Sequence, residues 1–85
     1  MESPLRKIRD NMGWTENKLA HLLGKRASVI GKIEHGKMRI PDSFYDSLRA
    51  LGVDPFKLAI EQENFIAWRR KFYSALKWGL KPENV

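Results

Sequence analysis

The amino-acid sequence predicts an all-α fold, a bundle of five to six helices, on two observations. Apolar residues recur every three or four positions through most of the chain. Five of the six glycines fall where such an amphipathic segment stops. That position commonly takes positive φ, which costs glycine nothing sterically, so the glycines read as helix ends. No stretch competes with the alternating pattern of a half-buried strand.

Each segment can be bounded in turn. The first, about 4–12, opens on Ser3 and Pro4, a capping side chain followed by a residue suited to the first helical position. Its apolar face holds Leu5, Ile8 and Met12, and Gly13 closes it. The second, about 15–23, starts at Thr15, carries Leu19, Leu22 and Leu23, and ends at Gly24. The third, about 27–35, carries Ile30 and Ile33 and ends at Gly36. The fourth, about 43–51, has Asp42 or Ser43 as a cap, Phe44, Leu48 and Leu51 on one face, and Gly52 at its end. Asp54 and Pro55 open a last segment with no breaker before Trp78 and Gly79, in which a bend near Glu63 and Asn64 is expected. The first four are too short to be stable alone and must pack together.

Composition narrows the function. A chain of 85 residues with 42% apolar and 31% charged residues is a folded domain near the lower size limit for a self-sufficient core. It has no cysteine and two histidines, which argues against disulfides and metal sites, and no cofactor is expected. No apolar run approaches the roughly 18 residues of a membrane span. The amino terminus has no apolar signal core, so a cytoplasmic location is expected. The formal net charge of +6 and pI near 9.9 point to a polyanionic partner, either nucleic acid or an acidic membrane surface. His21 and His35 fall on different segments with no nucleophile–base arrangement around them, and an enzyme is not expected.

Clustering decides between the polyanions. Residues 24–40 hold five of the sixteen Lys and Arg residues. The second and third segments are joined by three residues beginning with Gly24, the layout of a helix-turn-helix. On a helical wheel the third segment puts Ile30, Ile33 and Glu34 on one side and Ser28, Lys32, His35 and roughly Gly31 on the other, with Ala27 at its exposed start. Such a small, basic outer face can enter the major groove, where lysine donates to guanine O6 and N7. Gly31 costs about 1 kcal/mol relative to alanine in a helix interior. A bare backbone lying close to DNA would account for it, as would simple tolerance at an exposed site.

The stretch "LRKIRDNMGWTENKLAHLLGKRASVIGKIEHGKMRIPDSFYDSLRALGV" resembles the DNA-binding domain of lambda-type repressors and Cro proteins, the xenobiotic-response-element type. The likeness rests on "L…R…G", "LA…LG", "I…IE.G" and "ALGV" in register and covers residues 5 to about 60. It implies base contacts from Ala27, Ser28, Gly31 and Lys32, and phosphate contacts from Thr15, Lys25, Arg26, Lys37 and Arg39. It also implies a structural clamp between Arg9 and Glu34. Three positions depart from the pattern. Glu16 stands where many members have glutamine, no Ser or Thr cap precedes the third helix, and Trp14 replaces a smaller aliphatic residue.

Six of the nine aromatics lie beyond Val53, and Phe65, Trp68, Phe72 and Leu76 form an apolar stripe. The stripe either folds back on the core or forms a homodimer interface, and the two are compatible. Arg69, Arg70 and Lys71 interrupt it and read as a solvated face, with contact to the DNA backbone as the alternative. The expected organisation is therefore a DNA-binding domain over 1–60 and a helical extension over 61–85. The expected function is a sequence-specific, double-stranded-DNA-binding transcriptional regulator, a repressor acting as a homodimer on a palindromic operator. The alternative is an antitoxin-type module that binds a protein partner, a toxin or an antirepressor, and autoregulates through DNA binding. A third reading, an interfacial membrane helix over 64–78, would use the same basic, aromatic segment.

Overall fold

Local capping chemistry fixes most of the helix boundaries. The computed structural model describes residues 1–77, so Trp78 and Gly79 lie outside the described residues. Helix α1 spans Pro4–Met12, with the Ser3 hydroxyl accepting from the Arg6 amide. Helix α2 spans Glu16–Leu23 and is capped by Thr15, whose hydroxyl accepts from the Lys18 amide at 3.1 Å. Helix α3 spans Ala27–Glu34 behind Arg26, which makes no side-chain cap. A 3-10 turn over Asp42–Phe44 leads into helix α4, Tyr45–Ala50. Neither Asp42 nor Ser43 caps it as expected, because the turn itself winds the chain into the helix and Phe44 N–H bonds back to the Pro41 carbonyl. Asp54 caps helix α5, Pro55–Lys77, by accepting from the Phe56 and Lys57 amides. No strand occurs among the described residues.

The core is one cluster. Leu5, Leu19, Leu23, Ile30, Ile33, Phe44, Leu48 and Leu58 are all buried, drawing on all five helices and the 3-10 turn. Each such side chain contributes roughly 1.5–3 kcal/mol through its burial, which is what holds segments of six to nine residues helical. Trp14 packs half-buried against the cluster as a larger plug. Met12, placed by periodicity on the apolar face of α1, is instead 49% exposed. It sits in the last turn, at the rim of an open groove between α1 and α5, beyond the side chains that cover Leu5.

Helix α5 is continuous, without the bend expected near Glu63 and Asn64. Both residues point to solvent, while Leu58, Gln62, Phe65 and Ile66 keep an unbroken buried spacing on the other side. Polar side chains on an exposed face do not interrupt a helix when the inward periodicity runs through them. Twenty-three residues make α5 about 35 Å long. Its first half closes the bundle against α1 and α4.

Candidate nucleic-acid interface

The three-residue turn between α2 and α3 works because Gly24 takes φ +67°, letting the Gly24 and Lys25 amides satisfy the last carbonyls of α2 at His21 and Ala20. Helix α3 follows at once and packs mainly against α2. Its faces divide as the wheel implies. Ile30, Ile33 and Glu34 are buried, and Ser28 and Lys32, one turn apart, are exposed. Ala27 and Gly31 are only half-exposed, since Ala27 packs against the core and Gly31 lies beneath Glu16.

Cations stand at both ends of this helix. Arg26 is exposed, whereas Lys25 is half-buried with its ammonium 5.5 Å from the Phe44 ring centroid. Lys37 is exposed, and the Arg39 side chain is 80% exposed, held loosely at 3.9 Å by Glu63 of α5. A pair so open to water is worth little and leaves Arg39 available to another anion. The Thr15 hydroxyl is committed as an acceptor to its own helix but keeps a hydrogen to donate. Glu16 does not turn away from α3. Its carboxylate oxygen lies 3.8 Å from where a Cβ on Gly31 would stand, so a negative charge borders the outer face.

The carboxy-terminal end of α3 is anchored from beneath. The Arg9 guanidinium makes a bidentate pair with Glu34, both bonds 2.9 Å, and donates a third bond to the Trp14 carbonyl at 3.1 Å. The hydrogen bonding of Arg9 to the Glu34 carboxylate raises the Arg9 pKa above that of a free arginine, with the charges of Glu34, Asp10 and Glu16 acting in the same direction and burial against it. A group stabilised in its charged form contributes fully below its ordinary pKa and loses that contribution only as pH rises through the raised one. Arg9 therefore stays charged throughout the neutral range.

Helix α5 supplies the rest of the anchor. Gln62, fully buried, donates from its amide nitrogen to the Ile33 carbonyl at 2.8 Å and the Met38 carbonyl at 3.0 Å. Phe65 and Arg69 lie over Gly36. The sequence gives no direct sign of Gln62, whose partners are 24 and 29 residues away. The available signal is its position, a polar residue at inward spacing between Leu58 and Phe65 or Ile66. Of the expected dimer stripe, Phe65 is turned inward and buried, Trp68 and Phe72 are half-buried, and Leu76 is 48% exposed. Phe65 is taken up by its own protomer because the turn at Gly36 leaves room for the ring. Trp68 lies between Phe65, on which it stacks at 6.1 Å between ring centroids, and Phe72, whose ring is tilted at 5.3 Å. Arg69 is half-buried with its guanidinium 4.6 Å from the Tyr73 centroid, while Arg70 and Lys71 are exposed.

A helix presenting Ser28 and Lys32 outward, rooted through Ile30, Ile33 and Glu34, with cations at both ends, matches what groove insertion requires. The helix-turn-helix family model matches residues 5–45, which contain α1 from its second residue and all of α2 and α3. That segment is similar to the helix-turn-helix family and makes up just under half of the chain. Helix-turn-helix proteins of this Cro and lambda-repressor type are DNA-binding transcriptional regulators, and the fold is the all-helical one expected, with an aromatic-rich carboxy-terminal helix. Neither the curated proteins nor the solved structures gave a match to the chain. Among the described residues, no helix is long and apolar enough to cross a membrane.

Proposed function

We propose that this helix-turn-helix regulator is a repressor that binds a palindromic operator as a homodimer, with α3 in the major groove of each half-site. The observation that carries the reading is the division of α3. One side is sunk in the core, and the other offers a lysine and a serine one turn apart with no side chain of the bundle covering them. Lys32 donates to guanine O6 and N7, Ser28 bonds a neighbouring base edge, and Ala27 and Gly31 set the distance of approach. Thr15, Lys25, Arg26, Lys37 and Arg39 hold the phosphates on either side and replace condensed counterions. Arg9 and Glu34 clamp the helix at the angle this requires.

Dimerisation follows from the information a single helix can read, since two-fold operators are met by two-fold proteins with half-sites about 34–36 Å apart. Helix α5 supports it by carrying four large apolar side chains that are about half or more exposed: Phe56, Ile60, Tyr73 and Leu76. The division into a DNA-binding part, 1–60, and an extension, 61–85, is one of role, because α5 runs through the boundary. Occupancy of a promoter in the cytoplasm of a bacterium or phage-infected cell would be the mode of repression. Exposure of Tyr73 and Leu76 near the end of α5 also favours a second reading, in which a toxin or antirepressor docks there.

Selection of bound duplexes from a random DNA pool tests the proposal. The expected result is a two-fold symmetric motif recovered by a protein that sediments as a dimer. A purified monomer that binds DNA tightly without symmetry would overturn the dimeric repressor and favour the partner-binding module.

A further inference from the structure

The loop after α3 carries two of the cations assigned to phosphate, Lys37 and Arg39, yet it holds no regular structure of its own between Glu34 and Asp42. Its shape is imposed at three points. The Gly36 and Lys37 amides close the end of α3 by bonding to the Ile33 and Lys32 carbonyls at 3.0 and 2.8 Å. Gly36, at φ +71°, is pressed beneath Phe65 and Arg69. Gln62 spans the remaining distance, with one amide nitrogen donating to Ile33 on the near side of the loop and Met38 on the far side.

Both groups facing that amide are carbonyls, so the nitrogen has to point at them and the oxygen is left over. The Gln62 Oε1 atom is indeed buried without a hydrogen-bond partner. A fully buried side chain that leaves one polar atom unpaired is a poor choice if packing were the whole requirement, because methionine fills the same volume without that cost. What methionine lacks is the pair of donors that ties residue 33 to residue 38. We infer that Gln62 is a positioning residue for DNA binding: through its amide, α5 fixes the loop that presents Lys37 and Arg39 to the phosphate backbone. The role lies outside residues 5–45, and it rests on the proposed phosphate contacts of that loop.

The test is the salt dependence of binding, measured on a duplex that the wild-type chain itself selects from a random pool. Each phosphate contact adds about 0.9 to the slope of log affinity against log salt concentration. Lys37→Ala and Arg39→Ala should each flatten the wild-type slope by about that amount. Gln62→Met should flatten it by between one and two such steps, and adding Lys37→Ala to Gln62→Met should then change the slope by less than Lys37→Ala does alone. Gln62→Asn keeps an amide that is one methylene too short to span both carbonyls, and where Gln62→Met folds poorly it should show the same flattened slope in its place. A merely structural role lowers the melting temperature and leaves the slope of the folded protein untouched. A folded variant at position 62 with the wild-type slope therefore overturns the inference. Failure of the wild-type chain to select or bind any duplex strikes instead at the proposed DNA contacts.

Discussion

The middle of α3 and the turn just past its carboxy-terminal end each carry a glycine, five residues apart, and the surrounding fold treats them differently. Gly36 has φ +71° and no room: an added Cβ would stand 2.7 Å from the Arg69 side chain and 3.2 Å from the Phe65 ring. Gly31 has ordinary helical backbone, and its nearest neighbour outside the helix backbone would be the Glu16 carboxylate at a comfortable 3.8 Å. The glycine at the end answers to packing within the protomer. The glycine in the middle answers to no packing requirement inside the protomer, which leaves two accounts of it, a close approach by what α3 meets outside or simple tolerance at an open site. The same division separates the two regions at large, an anchored end held by Arg9, Gln62 and Phe65 and an open middle formed by Ser28, Gly31 and Lys32.

The largest expected effect lies at the anchored end. Arg9→Ala removes the partner of a carboxylate whose side chain is 4% exposed, leaving Glu34 charged and enclosed. Loss of one member of such a pair costs about 3 kcal/mol, and urea denaturation should show it as a lower midpoint with little change in slope. An unchanged midpoint would mean that the end of α3 is not held by this pair. Next is Gly36→Ala, where left-handed backbone and the displacement of Arg69 and Phe65 together cost about 2 kcal/mol. The same denaturation series measures it, and a neutral result would remove the contrast between the two glycines.

Much of this contrast was legible in the residues, although not all by one route. Helix ends are local events, and Ser3 with Pro4, Asp54 with Pro55, and the glycines at 13, 24, 36 and 52 mark them within a residue or two of their observed places. The exposed and buried sides of α3 follow from helical periodicity for the same reason. The pairing of Arg9 with Glu34 spans 25 residues and could be anticipated only through resemblance to the family. Gln62 was illegible because its role depends on carbonyls brought under α5 by the whole bundle. The aromatic stripe leaves both outcomes open, since Phe65, Trp68 and Phe72 have the same spacing whether they face a second subunit or their own protomer. The burial of Phe65 in its own protomer depends on the hollow beside Gly36, a feature of tertiary packing.

At the open middle the expected changes are in binding. Lys32→Ala should leave stability within about 0.5 kcal/mol, as exposed substitutions generally do, while lowering affinity for the selected operator by roughly 1–3 kcal/mol. Preference at one base position should relax in a repeated selection from random DNA. An unaltered motif would remove Lys32 from base recognition and with it the case for this face entering the groove.

The smallest change is the most discriminating. Gly31→Ala adds one methyl group at a site where the free protein has space, and it replaces the residue least suited to a helix interior, Pro excepted, with the most suited one. Stability should therefore rise, by up to about 1 kcal/mol, visible as a higher urea midpoint. If α3 lies against DNA at Gly31, the same methyl group must displace either the helix or the duplex, and operator affinity should fall by about tenfold, or 1.4 kcal/mol. Opposite signs in the two measurements are what a glycine kept for an external surface predicts. A variant both more stable and equally tight would show that Gly31 is tolerated rather than required, leaving Ser28 and Lys32 to define the approach to the bases.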